Sequence, residues 1–138
     1  MGAVLYQYKI NLVRIIDGDS AVIDIDYGFN VWRKETHFRL FGWQAAELRS
    51  SDEKERFVAR EAKKILEGFF SYHIEYVFDS QKDSTGKYGR VLGNIRHESV
   101  PQLNWEKILY NHGMLVPYGT SKEKELEYWH ELYEKLND

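Results

Sequence analysis

Apolar residues fall mostly at alternate positions from Tyr6 to Ile16, and the alternation continues from Ser20 to Phe29, where Val22, Ile23, Ile25 and Tyr27 surround Asp24 and Asp26. A period of two predicts two strands joined through Asp17-Gly18, a dipeptide suited to a hairpin because glycine tolerates positive φ and aspartate bonds neighbouring amides. A third strand is predicted at Glu35 to Trp43, with Phe38 and Leu40 on one face and Arg39 and Phe41 on the other. The period then changes. Between Asp52 and Phe69, Val58, Ala62, Ile65, Leu66 and Phe69 recur at helical spacing, and Ser50 with Glu53 reads as a capping box. Alternation returns at Ser71 to Phe78 and at Arg90 to His97, separated by a polar connection from Asp79 to Gly89 that reads as an exposed loop. Leu103 to His112 reads as a short helix ended by Gly113. Lys122 to Leu136 reads as a helix docked on the body through Leu126, Trp129, Tyr133 and Leu136.

Three strands, a helix, two strands and two helices make an α+β chain, mainly β. The expected architecture is a five-stranded OB-type Greek-key β-barrel with about three helices. At 138 residues, 43% hydrophobic and 15% aromatic, the chain is long enough for one core and too short for two ordinary domains, so residues 1–138 are read as one. No cysteine is present, which excludes disulfides, thiolate zinc sites and cysteine nucleophiles. The formal charge of −3 argues against coating nucleic acid by bulk electrostatics; any such contact is local. No signal-peptide pattern opens the sequence and no stretch is long enough to span a bilayer. A cytoplasmic location without membrane contact is the default expectation, with a processed exported form left open.

Three motifs carry candidate chemistry. Ile16-Asp17-Gly18-Asp19-Ser20 is either a turn or a pair of carboxylates converging on a hard cation. In Phe38-Arg39-Leu40, followed by Gly42-Trp43-Gln44-Ala45-Ala46-Glu47, Arg39 is either a surface cation or a planar donor to phosphate. Glu47 is either an exposed acid or a carboxylate beside an attacking water. Lys87-Tyr88-Gly89-Arg90 is either a polar loop entering a strand or a group that holds a base and a phosphate. The five histidines are scattered without metal-ligand spacing, and no glycine-rich phosphate loop is present.

In identity, order and spacing, Asp17-Gly18-Asp19, Phe38-Arg39-Leu40 with Glu47 eight residues after Arg39, and Tyr88-Gly89-Arg90 resemble the staphylococcal nuclease (thermonuclease-like) family. The resemblance covers roughly Tyr6 to Tyr118. It implies an OB-type barrel and a calcium-dependent nuclease that hydrolyses phosphodiester bonds of DNA and RNA, single- or double-stranded, with little sequence preference. Carried over position by position, it implies Asp19 as a metal ligand with Asp17 in the outer shell. It further implies Arg39 and Arg90 as a clamp on the scissile phosphate, Glu47 as the group orienting or deprotonating water, and Lys87, Tyr88 and Tyr118 flanking the nucleotide.

The chain departs from the family pattern after the third strand, where the family has Asp, then Thr or Ala, then Pro, then Glu. Here the positions read Gln44, Ala45, Ala46 and Glu47. An amide at position 44 can offer a carbonyl oxygen but removes a full charge, so weakened calcium binding is expected. Loss of the proline relaxes the backbone that carries Glu47. Two expectations follow: a nuclease with a retuned metal site, or a catalytically impaired module of the same fold that binds nucleic acid or, through its aromatic surface, a protein partner.

Overall fold

The computed structural model describes residues 6–85 and 89–138, with side chains throughout these except at 82–85. The elements in chain order are β1 (Tyr6–Asp17), β2 (Ser20–Asp26), β3 (Trp32–Leu40), β4 (Trp43–Gln44), α1 (Glu53–Phe69), β5 (Tyr76–Thr85), β6 (Val91–His97), α2 (Trp105–Asn111), β7 (Val116–Pro117) and α3 (Lys122–Leu136). Strands β1-β2-β3-β6-β5 close into a barrel, and β4 and β7 form a separate two-stranded sheet. All barrel pairings are antiparallel except β3 with β6, which run parallel through Phe38↔Val91, Arg39↔Leu92 and Leu40↔Gly93. This is the expected five-stranded OB-like barrel with three helices.

Alternation explains the interior. Along β6 every second residue from Val91 to His97 is buried, and Phe38 and Leu40 of β3 face inward while Arg39 between them is half-buried. Phe38 sits at the centre, 5.6 Å edge-on from Phe78 and 5.0 Å from Trp105. Helix α1 closes one side of this core with Ala62, Leu66 and Phe69, while its Val58 and Ala59 face a second cluster made with Ala46, Val116 and Trp129. Helix α3 therefore docks chiefly on α1. Its buried stripe is Glu125 and Trp129, with Leu132 and Tyr133 packed beside it; Leu136, expected in that stripe, is 42% exposed.

Several boundaries differ from those read in the sequence. Strand β3 starts at Trp32 and stops at Leu40, because Gly42 takes a positive φ of 84° and turns the chain. Strand β5 begins five residues later than expected, at Tyr76, and runs through much of the supposed loop. Asp79 binds Arg96 at 2.7 Å, and Ser80 lies opposite Gly93, where an added Cβ would sit 2.1 Å from the Asp79 carbonyl oxygen. The cap of α1 is Asp52, whose carboxylate accepts from the Glu55 amide at 2.8 Å; Ser50 instead bonds the Asp52 amide. Gly18 does not adopt positive φ. Its lack of a side chain admits Ala45, whose Cβ would lie 2.8 Å from a Cβ at position 18.

Candidate functional site

The barrel brings the first two motifs and Arg90 to one place. Asp17 ends β1, Asp19 lies in the β1–β2 turn, Arg39 points outward from β3, and Arg90 immediately precedes β6, whose parallel pairing sets it beside β3. A cleft of about 390 Å³ is lined by Asp17, Asp19, Ser20, Arg39, Gln44, Ala45, Glu47, Arg90 and Glu125. A second cavity of about 340 Å³ is lined by the same two arginines together with Leu40, Phe41, Gly42, Leu92 and Tyr118. Arg39 and Arg90 thus form a wall shared by an acidic cleft and an apolar, aromatic one. The Arg39 guanidinium lies 5.7 Å from the Tyr118 ring centre, and that ring is 66% exposed. Lys87 and Tyr88 lie outside the described residues.

Electrostatically the acidic cleft is crowded. Burial pushes the Asp17 carboxyl up to about 6; the Leu48 amide opposes this, and the charges of Asp19, Glu47 and Glu55 add to it. Asp19, 6% exposed, is likewise raised by burial, against the pull of the Arg39 guanidinium 3.5 Å away and the Ala45 amide. Burial also raises Glu125, which the Trp129 indole N–H and the Lys122 charge partly offset. Glu47 itself stands exposed at the mouth of the cleft.

The acids have backbone work in this arrangement. Asp19 accepts from the Ala45 amide at 3.1 Å, Glu55 from the Glu47 amide at 2.9 Å, and Asp17 from the Leu48 amide at 2.8 Å. Gln44 is occupied at both ends of its amide. Its Oε1 accepts from the Gly119 N–H at 2.7 Å, and its Nε2 donates to the Thr120 carbonyl at 3.3 Å and to Glu125 Oε2 at 3.1 Å. As arranged, these donors do not fit calcium, which takes six to eight oxygens: among the described residues no three acidic or histidine side chains converge closely enough to hold a metal ion, and the Gln44 oxygen faces an N–H.

Three residues in or beside the site escaped the sequence reading: Glu55, Lys122 and Glu125. A faint signal was available. Glu55 and Glu125 each occupy a helical-repeat position on an apolar stripe, three residues before Val58 and four before Trp129, and both are buried. A charged residue at such a position is expected to have a buried partner.

Fold and site together show an OB-like barrel in which two arginines line both an aromatic and an acidic cleft. No protein-family model matches the chain, and a search of curated proteins gives no match. No helix among the described residues is long and apolar enough to cross a membrane.

Proposed function

We propose that the protein is a nuclease that binds single- or double-stranded DNA or RNA at one phosphodiester and hydrolyses it. The observation that carries this reading is that Arg39 and Arg90 line both clefts, one aromatic and one acidic. A phosphodiester has a phosphate with a base on one side and needs a water on the other, and the lining chemistry follows that division. Guanidinium forks match phosphate oxygens and offset the charge that grows on them as phosphorus is attacked. Tyr118 and Phe41 offer faces on which a base stacks. Glu47, exposed and lining the acidic cleft, is the group that accepts a proton from water in this reading. The water oxygen then bonds to phosphorus, the bond from phosphorus to the leaving sugar oxygen breaks, and that oxygen takes a proton from solvent.

A second reading has its own support. Asp17, Asp19 and Gln44 are all engaged in holding the loop from Ala45 to Leu48 or the turn at Gly119, which is what a non-catalytic module that binds nucleic acid or a protein would retain. One experiment separates the two. Purified protein is incubated with single-stranded DNA, duplex DNA and RNA, in calcium, in other divalent ions and in chelator, with Glu47→Ala as control. Cleavage lost in Glu47→Ala is expected. Cleavage unchanged in that variant overturns the role of Glu47. Binding without any cleavage, abolished by Arg39→Ala and Arg90→Ala, supports the module instead.

A further inference from the structure

We infer that Glu55 and Lys122 are positioning residues for Glu47, and that helix α3 holds the reactive loop in place through them. This rests on the nuclease reading for its kinetic consequence but not for its structural content.

The loop from Ala45 to Leu48 belongs to no helix or strand, and without a proline ahead of Glu47 its backbone has no intrinsic restraint there. Three of its amides are nonetheless fixed by carboxylates from three separate elements: Ala45 by the β1–β2 turn, Glu47 by α1 and Leu48 by the end of β1. The middle bond differs from its neighbours in how its acceptor is held. The Glu55 carboxylate is fully buried, and the Lys122 ammonium reaches both of its oxygens, at 2.8 and 2.9 Å. An isolated carboxylate in such a place would be costly, so the cation of α3 makes this acceptor tenable.

Lys122 occupies the first turn of α3, and Glu125 one turn on holds the Gln44 amide. Gln44 and Glu47 therefore hang from α3 at two points. The same helix is tied to the cap of α1 by His130, 2.7 Å from Asp52. In consequence, the direction of the Glu47 side chain depends on a residue 75 positions away in sequence that does not line the cleft. Lys122 senses the pairing: burial lowers its basicity, yet the Glu55 hydrogen bond and the charges of Glu55, Glu47 and Glu125 carry it above the ordinary lysine value.

The test uses the full chain and the variants Lys122→Met, Lys122→Arg and Glu55→Gln, with amide hydrogen exchange read by nuclear magnetic resonance beside cleavage kinetics. Lys122→Met is expected to speed exchange of the Glu47 amide by about tenfold or more, since hydrogen bonds to charged groups protect by roughly that factor, while the core amides of β2 and β6 keep their rates. It is expected to lower kcat by about tenfold with KM within twofold, because misplacement by about 1 Å can cost up to a hundredfold in rate. Lys122→Arg is expected to restore both, and Glu55→Gln to resemble Lys122→Met in exchange. Unchanged exchange at Glu47 in Lys122→Met overturns the inference. So does a variant in which kcat and KM move together with general loss of core protection, which is the mark of a merely structural role. If the wild-type protein cleaves nothing, the nuclease reading fails, and the exchange result at Glu47 still decides whether α3 positions this loop.

Discussion

Replacing Asp17 by asparagine is expected to stabilise the protein at neutral pH, and the magnitude can be worked from the site. The Asp17 carboxyl titrates at about 6 in the fold against 3.8 in the unfolded chain. The folded state therefore keeps a proton that the unfolded chain has already released, and stability declines as pH rises from about 4 to about 6. At about 1.4 kcal/mol per pH unit the rise corresponds to roughly 3 kcal/mol; because Asp17 is partly open to solvent, screening reduces this to about 1–2 kcal/mol. Burial also raises Asp19 and Glu125, so both add to the decline, whereas the lowered Asp52, held by the Glu55 amide, works weakly against it from a half-buried position. Asparagine keeps an oxygen that can accept from the Leu48 amide, yet carries no charge to repel Asp19, Glu47 and Glu55. Urea unfolding of both proteins at pH 4 and pH 7.5 isolates the effect. The variant should gain about 1–2 kcal/mol over wild type between the two pH values. An equal difference at both would refute the reasoning, because the stability effect would then owe nothing to ionisation.

Three further outcomes are expected. Gly93→Ala should cost about 3 kcal/mol or more in urea unfolding, because the new methyl would meet the Asp79 carbonyl oxygen at 2.1 Å and the Phe78 ring at 2.7 Å. Trp105→Phe leaves the buried Gly18 carbonyl without the indole N–H that now reaches it at 2.7 Å, and should cost about 1–3 kcal/mol in the same assay. Gln44→Asp removes the donor to Thr120 and Glu125 and sets two acids side by side. In chelator it should be less stable by about 1–3 kcal/mol, and by calorimetry it should bind calcium more tightly than wild type. An unchanged calcium affinity would show that position 44 does not reach the ion.

Much of the barrel could be read from local periodicity. The alternation in β6 and the helical spacing in α1 are properties of consecutive residues, and these two segments bury the face their pattern marks, whereas in α3 only Trp129 of the marked stripe is fully buried. Where the pattern misled, the deciding contact was distant. Asp79 to Thr85 looks like a loop until Arg96 and Gly93 lie opposite, and Gly18 looks like a turn glycine until Ala45 is set against it. The site shows the same split. Asp17, Asp19, Arg39, Gln44, Glu47 and Arg90 were legible as motifs and do line one cleft. That the acids bond the amides of residues 45 to 48, and that α3 contributes Glu125, was not legible, because those bonds join residues up to 81 positions apart.

The parallel seam between β3 and β6 is only three residue pairs long, and it joins segments about fifty residues apart in sequence. Contacts of such separation carry a loop-closure entropy that the few pairs of the seam must offset. Arg39 lies within this seam and Arg90 immediately precedes it, so the two guanidinium groups are held as neighbours by barrel closure. On the proposed reading, a phosphate-bearing ligand that engages both arginines acts as a clasp on this joint and favours the closed chain by mass action, increasingly as its concentration exceeds Kd.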